Sequence, residues 1–246
     1  YASGSSGDCR YIVDCSYASD LAPDDTNGYR DVFVYDQETQ TTTRITGGNG
    51  AALAPAISAD GRWVSFYSGA SNLVLGDRNR TRDVFLHDRD TGTTTRITNG
   101  NQASYSSPAA LSGDGRYVTF SSLASDLVAG DTNERNDVFV HDRVTGTTTR
   151  LTRGNNHSGD PSFSTDGLHV AFESYASDLG SGDTNGHNDV FVHDLATGRT
   201  SRLTPGNGPS YGAAISADGG VIAFTSLAYD LAPGDTNKMD DVFVWK

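Results

Sequence analysis

Lysine and glutamate are almost missing from this 246-residue chain, which has two lysines (Lys238, Lys246) and three glutamates (Glu38, Glu134, Glu173). Methionine occurs once and tryptophan twice. So few straight-chain helix formers, beside abundant Thr, Ser, Gly and Asp, argue against a helical fold. Basic residues are scarce too: 18 Lys and Arg against 31 Asp and Glu give a net charge of −13. Nucleic acid and anionic membrane surfaces both demand positive charge, so neither is an expected partner. No apolar run nears the ~20 residues of a membrane-spanning helix, so no membrane insertion is expected. The sequence opens at Tyr1 without an initiator Met. It therefore reads as a processed product or a trimmed piece whose signal peptide is already gone, and the acidic, lysine-poor composition points to a secreted or periplasmic protein, expected to be a monomer.

Cysteine is limited to Cys9 and Cys15. An extended segment would hold them roughly 20 Å apart, far beyond the reach of a disulfide. The first unit deviates locally, since Asp14 stands where Phe66, Phe120, Phe172 and Phe224 stand in later units. Two readings remain open: a refolded, disulfide-closed N-terminal segment, or two free thiols.

What the chain has in abundance is repetition. Asp-Val-Phe recurs at Asp31, Asp83, Asp137, Asp189 and Asp241, at intervals of 52, 54, 52 and 52 residues. Units of this length without spacers mark an array. We divide the chain into repeats at approximately 1–48, 49–100, 101–154, 155–206 and 207–246, forming one domain over 1–246.

Each unit predicts four short strands. In unit three these are Pro108 to Leu111, Arg116 to Ser121, Asp137 to Asp142 and Thr147 to Thr152, with turns at Gly113-Asp114-Gly115 and Thr145-Gly146. The third strand decides the architecture. Val138 and Val140 face one way and Phe139 the other, so the sheet needs an apolar neighbour on both sides. Four-stranded sheets stacked face to face around an axis meet that need, which predicts an all-β fold: a five-bladed β-propeller of four-stranded antiparallel blades. The last unit ends after its third strand, so either blade five is three-stranded or the natural chain continues past Lys246.

The segments Ser58-Ala59-Asp60-Gly61-Arg62-Trp63-Val64-Ser65-Phe66 and Asp189-Val190-Phe191-Val192-His193-Asp194, each followed by Arg-Leu/Ile-Thr, resemble TolB-type (WD-like) propeller repeats of secreted bacterial proteins. The resemblance spans essentially the whole chain. It implies the fold and leaves the function open, because core and turn residues carry it.

Loops joining strands two and three, and those joining strand four to the next blade, emerge on one face of such a blade. They are the longer loops, and a ligand is expected there. Candidate ligand-binding residues on this face are Asn49, Asn101, Tyr105, Asn155, His157, Asp160, Asn207 and Tyr211. The loop before strand three repeats Asp-x-Asn-x-x-x-Asp: Asp25/Asn27/Asp31, Asp131/Asn133/Asp137, Asp183/Asn185/Asp189 and Asp235/Asn237/Asp241. Carboxylate and amide oxygens on a curled loop are calcium ligands. The other reading is turn capping by Asp and Asn. In unit two, Asp77/Asn79/Asp83 is crowded by Arg78, Arg80 and Arg82, which disfavours a metal there. Asp20, Asn72, Asp126, Asp178 and Asp230 read as local caps, and His87, His141 and His193 as half-buried blade residues.

An active centre in a repeat protein has to break the symmetry. Asp160 stands as the one isolated carboxylate near the axis, and no nucleophile or phosphate-binding motif occurs. The expected function is therefore non-catalytic binding, with a glycan recognised lectin-fashion at repeated sites. A protein-interaction scaffold, as the TolB resemblance implies, is one alternative; a glycosidase- or lactonase-type hydrolase is another.

Overall fold

The computed structural model describes residues 4–105, 111–180, 182–237 and 239–246. Blade one consists of β1 (Gly4–Ser5), β2 (Tyr11–Ser16), β3 (Asp31–Asp36) and β4 (Thr41–Arg44). Blade two has β5 (Ala52–Ile57), β6 (Trp63–Ser68), β7 (Asp83–Asp88) and β8 (Thr93–Arg96). Blade three has β9 (Ser104–Tyr105), β10 (Tyr117–Ser122), β11 (Asp137–Asp142) and β12 (Thr147–Arg150). Blade four has β13 (Ser158–Phe163), β14 (His169–Ser174), β15 (Asp189–Asp194) and β16 (Arg199–Arg202). Blade five stops at three strands, β17 (Ser210–Ile215), β18 (Ile222–Ser226) and β19 (Asp241–Trp245). Every sheet is an antiparallel meander in chain order, and the whole is the five-bladed propeller with an incomplete last blade that the repeat predicts. The N-terminal strand stays in its own blade, pairing Gly4 with Val13, and does not complete blade five.

The two-sided third strand explains the stacking. Val138 and Val140 pack with Phe163, Val170, Phe172 and Phe191 of blade four. On the opposite face Phe139, stacked on Phe120 at 5.5 Å, packs with Val84 and Leu86 of blade two. Phe66 with Phe85, Phe172 with Phe191 and Phe224 with Phe243 repeat this pair at 5.6–5.7 Å. Each fully buried ring is worth roughly 1.5–3 kcal/mol of burial. Blade one breaks the pattern, with Asp14 opposite Phe33.

The short turns joining the first two strands of each blade are zipped into a chain of blade-to-blade hydrogen bonds. Gly7 donates to Ala59 O (2.8 Å), Ala59 to Gly113 O (2.8 Å), Gly113 to Thr165 O (2.9 Å) and Asp166 to Ala217 O (2.9 Å). These bonds tie the short-turn face together from blade one to blade five.

Three details differ from expectation. In unit three Pro108–Ala110 lie outside the described residues, Leu111 makes a single bridge to Val118, and the innermost strand is Ser104–Tyr105. The second strand there runs Tyr117–Ser122, one residue later than expected, and the fourth ends at Arg150. Cys9 and Cys15 are both free: Cys9 sits exposed in the turn at φ 59°, where later units carry Gly61, Gly115, Gly167 and Gly219 at φ 66–76°.

Candidate functional site

The Asp-x-Asn-x-x-x-Asp loops come first because their chemistry recurs in every unit. In four blades the space between the two carboxylates holds the arginine of strand four. Arg44 Nε and Nη2 donate to Asp31 Oδ2 at 3.1 and 2.8 Å, with Asp25 3.5 Å from the same guanidinium. Arg96 lies 2.9 Å from Asp77 and 3.7 Å from Asp83. Arg150 pairs with Asp131 and, at 3.5 Å, with Asp137. Arg202 pairs with Asp183 at 3.4 Å and Asp189 at 2.6 Å.

The asparagine amides are engaged at both ends. Asn27 Nδ2 donates to Asp31 (2.9 Å) and Gly48 O (3.0 Å), while its Oδ1 accepts the Tyr29 N–H (2.8 Å). Asn133 and Asn185 repeat this with Asp137, Gly154 and Arg135, and with Asp189, Gly206 and His187. A threonine completes each set, as Thr152 Oγ1 donates to Asp137 at 2.6 Å and accepts the Val138 N–H at 2.9 Å. Burial pushes the Asp83, Asp137 and Asp189 carboxyls upward, and the threonine hydrogen bond opposes this. In blade five Asp235, Asn237 and Asp241 have no strand-four arginine, and Asn237 alone bridges them at 3.3 and 3.2 Å. Among the described residues no three His, Cys, Asp or Glu side chains are grouped as metal ligands.

The asparagines opening each inward loop build the face. Asn49 Oδ1 accepts the Ser71 N–H (2.9 Å) and its Nδ2 donates to Ser71 Oγ (3.1 Å); Asn155 makes both matching contacts with Ser177, and Asn101 Nδ2 donates to Ser125 Oγ (3.2 Å). Their own N–H groups, and that of Asn207, donate at 2.8 Å to Asn72, Asp126, Asp178 and Asp230. Those four acceptors are thus not local caps: each fastens a loop 23 or 25 residues away. His87, His141 and His193 are the blade residues expected. Each ring Nδ1 meets a threonine hydroxyl at 2.9–3.0 Å, and burial lowers each pKa.

Symmetry breaks at the inner mouth of the long-loop face. The residue before each Asp-Val-Phe is Arg30, Arg82, Asn136, Asn188 or Asp240 in turn. The carbonyls of the first four accept the N–H groups of Ala52, Ser104, Ser158 and Ser210 on the next blade's inner strand. This rim therefore runs from cationic at blades one and two, through amides, to anionic at blade five. Arg30 lies over the Tyr17 ring at 4.6 Å and Arg82 over Tyr105 at 5.8 Å; Tyr105 in turn meets Tyr67 edge-on at 6.3 Å.

On the anionic side Asp160 is not isolated, contrary to the sequence reading. A recess of about 180 Å³ is lined by Asn136, His157, Asp160, Glu173, Tyr175 and Asn188. Glu173 comes from β14 and reaches across to blade five. Its Oε2 accepts from Asn188 Nδ2 at 2.7 Å and its Oε1 from the Gly212 N–H at 2.5 Å. Burial raises its pKa, these hydrogen bonds oppose the rise, and the Asp160 charge adds to it. Asp160 occupies the first-strand bulge at φ 48° and is exposed. Tyr211 donates its hydroxyl to Asp240, a bond that raises the phenol's pKa. His157 Nδ1 accepts the Asn136 N–H at 3.0 Å. So the structure joins His157 and Asp160 in one recess, sets Tyr211 beside Asp240, and leaves Tyr105 on the cationic side. Glu173 was legible in one respect: it is one of three glutamates, in a strand position filled elsewhere by Cys15, Tyr67, Ser121 and Thr225.

Around this mouth stands an exposed apolar rim. Tyr17, Leu123, Tyr175 and Leu227 occupy one repeat position at 64, 36, 52 and 38% exposure, and Tyr229 lies nearby at 54%.

No protein-family model and no curated protein matches the chain. Solved structures do. TolB from Acinetobacter baumannii superposes with a TM-score of 0.59 at 22% identity over 94% of this chain, which spans only 52% of that protein's length. A putative TolB from Agrobacterium tumefaciens gives 0.66 at 17% identity, covering 99% of this chain and 75% of that one. An oligogalacturonate lyase in complex with manganese gives 0.60 at 15% identity, over 99% and 64%. At these identities the likeness establishes a fold shared with TolB-type propellers.

Proposed function

We propose that this propeller is a binding module that recognises a protein partner through its long-loop face. The observation that carries the reading is the rim of Tyr17, Leu123, Tyr175, Leu227 and Tyr229 around a mouth of graded charge. Exposed aromatic and aliphatic side chains around a polar centre are the composition of a protein interface. The carboxylates of Asp160, Glu173 and Asp240 form no ion pair among the described residues. They suit a lysine or arginine side chain of the partner, while Arg30 and Arg82 suit an acidic one. The TolB-type neighbours support a partner of this class. We place the protein outside the cytoplasm, secreted or periplasmic, on its acidic, lysine-poor composition.

A glycan is the second reading. It is favoured by the recess itself, where the amides of Asn136 and Asn188, the Glu173 carboxylate and the Tyr175 ring offer hydrogen bonds and a stacking surface. The test compares Tyr17→Ala/Tyr175→Ala/Tyr229→Ala with Glu173→Gln, measuring capture of soluble partners from the native host and binding to a glycan array. Protein recognition predicts saturable capture of one protein, weakened at least tenfold by the triple variant, and a blank array. Glycan binding lost only in Glu173→Gln overturns it. So does turnover of a glycoside or ester that disappears in both Glu173→Gln and Asp160→Asn.

A further inference from the structure

On the short-turn face, blades one to three share a device that blade four lacks. The residue after the turn aspartate is Gln37, Arg89, Arg143 or Leu195 in turn. All four hold one place, because their N–H groups donate at 2.9–3.0 Å to the carbonyls of Arg10, Arg62, Arg116 and Leu168. In the first three the side chain then reaches the hairpin joining strands one and two. Gln37 Nε2 donates to Cys9 O at 2.5 Å, Arg89 Nη1 to Gly61 O, and Arg143 Nε to Gly115 O at 3.1 Å. Each arginine also covers an aromatic ring of the preceding blade. Arg89 lies 4.0 Å from the centroid of Tyr11, and Arg143 3.9 Å from that of Trp63. A second arginine clamps the turn, as Arg10, Arg62 and Arg116 pair with Asp36, Asp88 and Asp142 at 2.7–2.8 Å.

Blade four keeps the receiving groups and loses both arginines. Leu195 stands for the ring-covering arginine and Leu168 for the clamp. Gly167 repeats the turn at φ 76°, and a Cβ there would lie 3.6 Å from the Tyr117 ring. Leucine has no donor for the Gly167 carbonyl and no charge for the ring. Among the described residues Tyr117 meets one cation, Arg116 at 4.8 Å, where Tyr11 and Trp63 each meet two. Asp194 forms no ion pair among them. A groove of about 400 Å³ opens here between blades three and four, lined by Tyr117, Val140, Leu151, His193 and Leu195. Leu168, next to Gly167, is 45% exposed.

We propose that this groove takes an arginine side chain of a protein partner, its guanidinium lying over Tyr117 and donating to the Gly167 carbonyl beside Asp194. Blades two and three display the bound arrangement within the chain itself, with the same carbonyl and ring met by Arg89 and Arg143. A planar cation stacks on an aromatic face and donates in its own plane, which a lysine ammonium does not do. The like charge of Arg116 is no obstacle. Arg62 holds the same relation to Arg143 at Trp63, and each clamp is neutralised by its aspartate. Val140, Leu151 and Leu195 offer an apolar wall to the arginine stem. The net charge of −13 favours a basic partner on approach. This site lies on the face opposite the charged mouth, so it stands independently of the partner proposed there.

The test titrates the 15N-labelled 246-residue protein with N-acetyl-arginine methylamide at fixed ionic strength, following amide shifts by NMR. Saturable shifts are expected at Tyr117, Gly167, Leu168 and Leu195. N-acetyl-citrulline methylamide, of the same shape without the charge, should bind at least tenfold more weakly, and the lysine analogue at least threefold. Asp194→Asn keeps the Oδ1 that caps the turn and should weaken the arginine probe at least threefold. Leu195→Arg supplies the guanidinium from within the chain, so it should abolish the probe's shifts and melt no lower than the wild type. Absence of saturable shifts at these residues overturns the proposal, as do equal affinities for the arginine and citrulline probes. Undiminished binding to Leu195→Arg also overturns it, and so does a clear fall in that variant's melting temperature, because the groove would then not accommodate a guanidinium.

Discussion

Arg150→Met removes the one guanidinium paired with Asp131 and Asp137 among the described residues. The arginine side chain is 7% exposed and its two partners 3 and 0%, so water replaces little of the lost interaction. Breaking one side of a buried pair costs about 3–5 kcal/mol. For a chain of this size that is a fall in Tm of roughly 6–20 °C. The loss has a pH signature. Burial already holds Asp137 above its ordinary 3.8, and without the guanidinium it moves higher. A raised carboxyl pKa means that ionisation costs the folded state. The deficit is thus complete above the folded pKa and fades as pH falls toward the unfolded value of 3.8. Urea unfolding of wild type and variant at pH 7, 5 and 4 should show the difference narrowing. Arg116→Met, which breaks the solvent-screened pair with Asp142, should cost far less. A deficit below about 1 kcal/mol, or one independent of pH, would refute the reasoning. So would a wild-type melt that shifts on chelation, because a cation would then share the loop with the arginine.

Two further pairs of variants probe the scaffold. Gly115→Ala should cost roughly 2–4 kcal/mol, because φ is +66° and the new Cβ would lie 2.3 Å from Trp63. Gly146→Ala, at φ +70° with nothing within 4 Å, should cost about 1 kcal/mol by chemical denaturation. Val138→Asp puts a carboxylate between blades three and four and should abolish folding by near-UV circular dichroism, whereas Val242→Asp, 77% exposed, should leave stability within about 0.5 kcal/mol.

The fold was legible because its rules are local. Val138, Phe139 and Val140 declare a strand apolar on both faces, and Gly115 declares the turn, within a few residues. The loop chemistry was half legible. Asp131, Asn133 and Asp137 announce a cation-binding loop, and what the sequence pattern did not reveal is that Arg150, thirteen residues beyond Asp137 across a hairpin, pairs with both carboxylates. The signal was present: arginine recurs with the acid pair in four units, and is missing only in the unit that lacks strand four. Asn49, Asn101 and Asn155 read as ligand residues because exposed amides on loops invite it; the contacts the sequence did not reveal are those with Ser71, Ser125 and Ser177, 22–24 residues away. Glu173 was the hardest, since strand alternation alone does not reveal that it leans into a neighbouring blade.

The division between what repeats and what varies bears on function. Asp31, Asp83, Asp137, Asp189 and Asp241 are identical because each starts a strand and anchors a loop. The residue immediately before each one serves the fold through its carbonyl, in the first four units, and its side chain changes from arginine to asparagine to aspartate around the mouth. A neutral or uniformly charged rim would accept a ligand in any rotation about the axis. Arginine on blades one and two, amides on blades three and four and aspartate on blade five give the ligand one favourable rotation, because any other sets like charges together or leaves charges unmatched. The field of such a mouth also aligns an approaching dipole before contact, at a range set by the roughly 8–10 Å screening length of physiological salt. Exchanging Arg30 and Arg82 for aspartate should therefore slow association far more than it speeds dissociation, and the effect should fade with added salt. Such a kinetic signature belongs to a single oriented partner, not to five equivalent sites that fill independently.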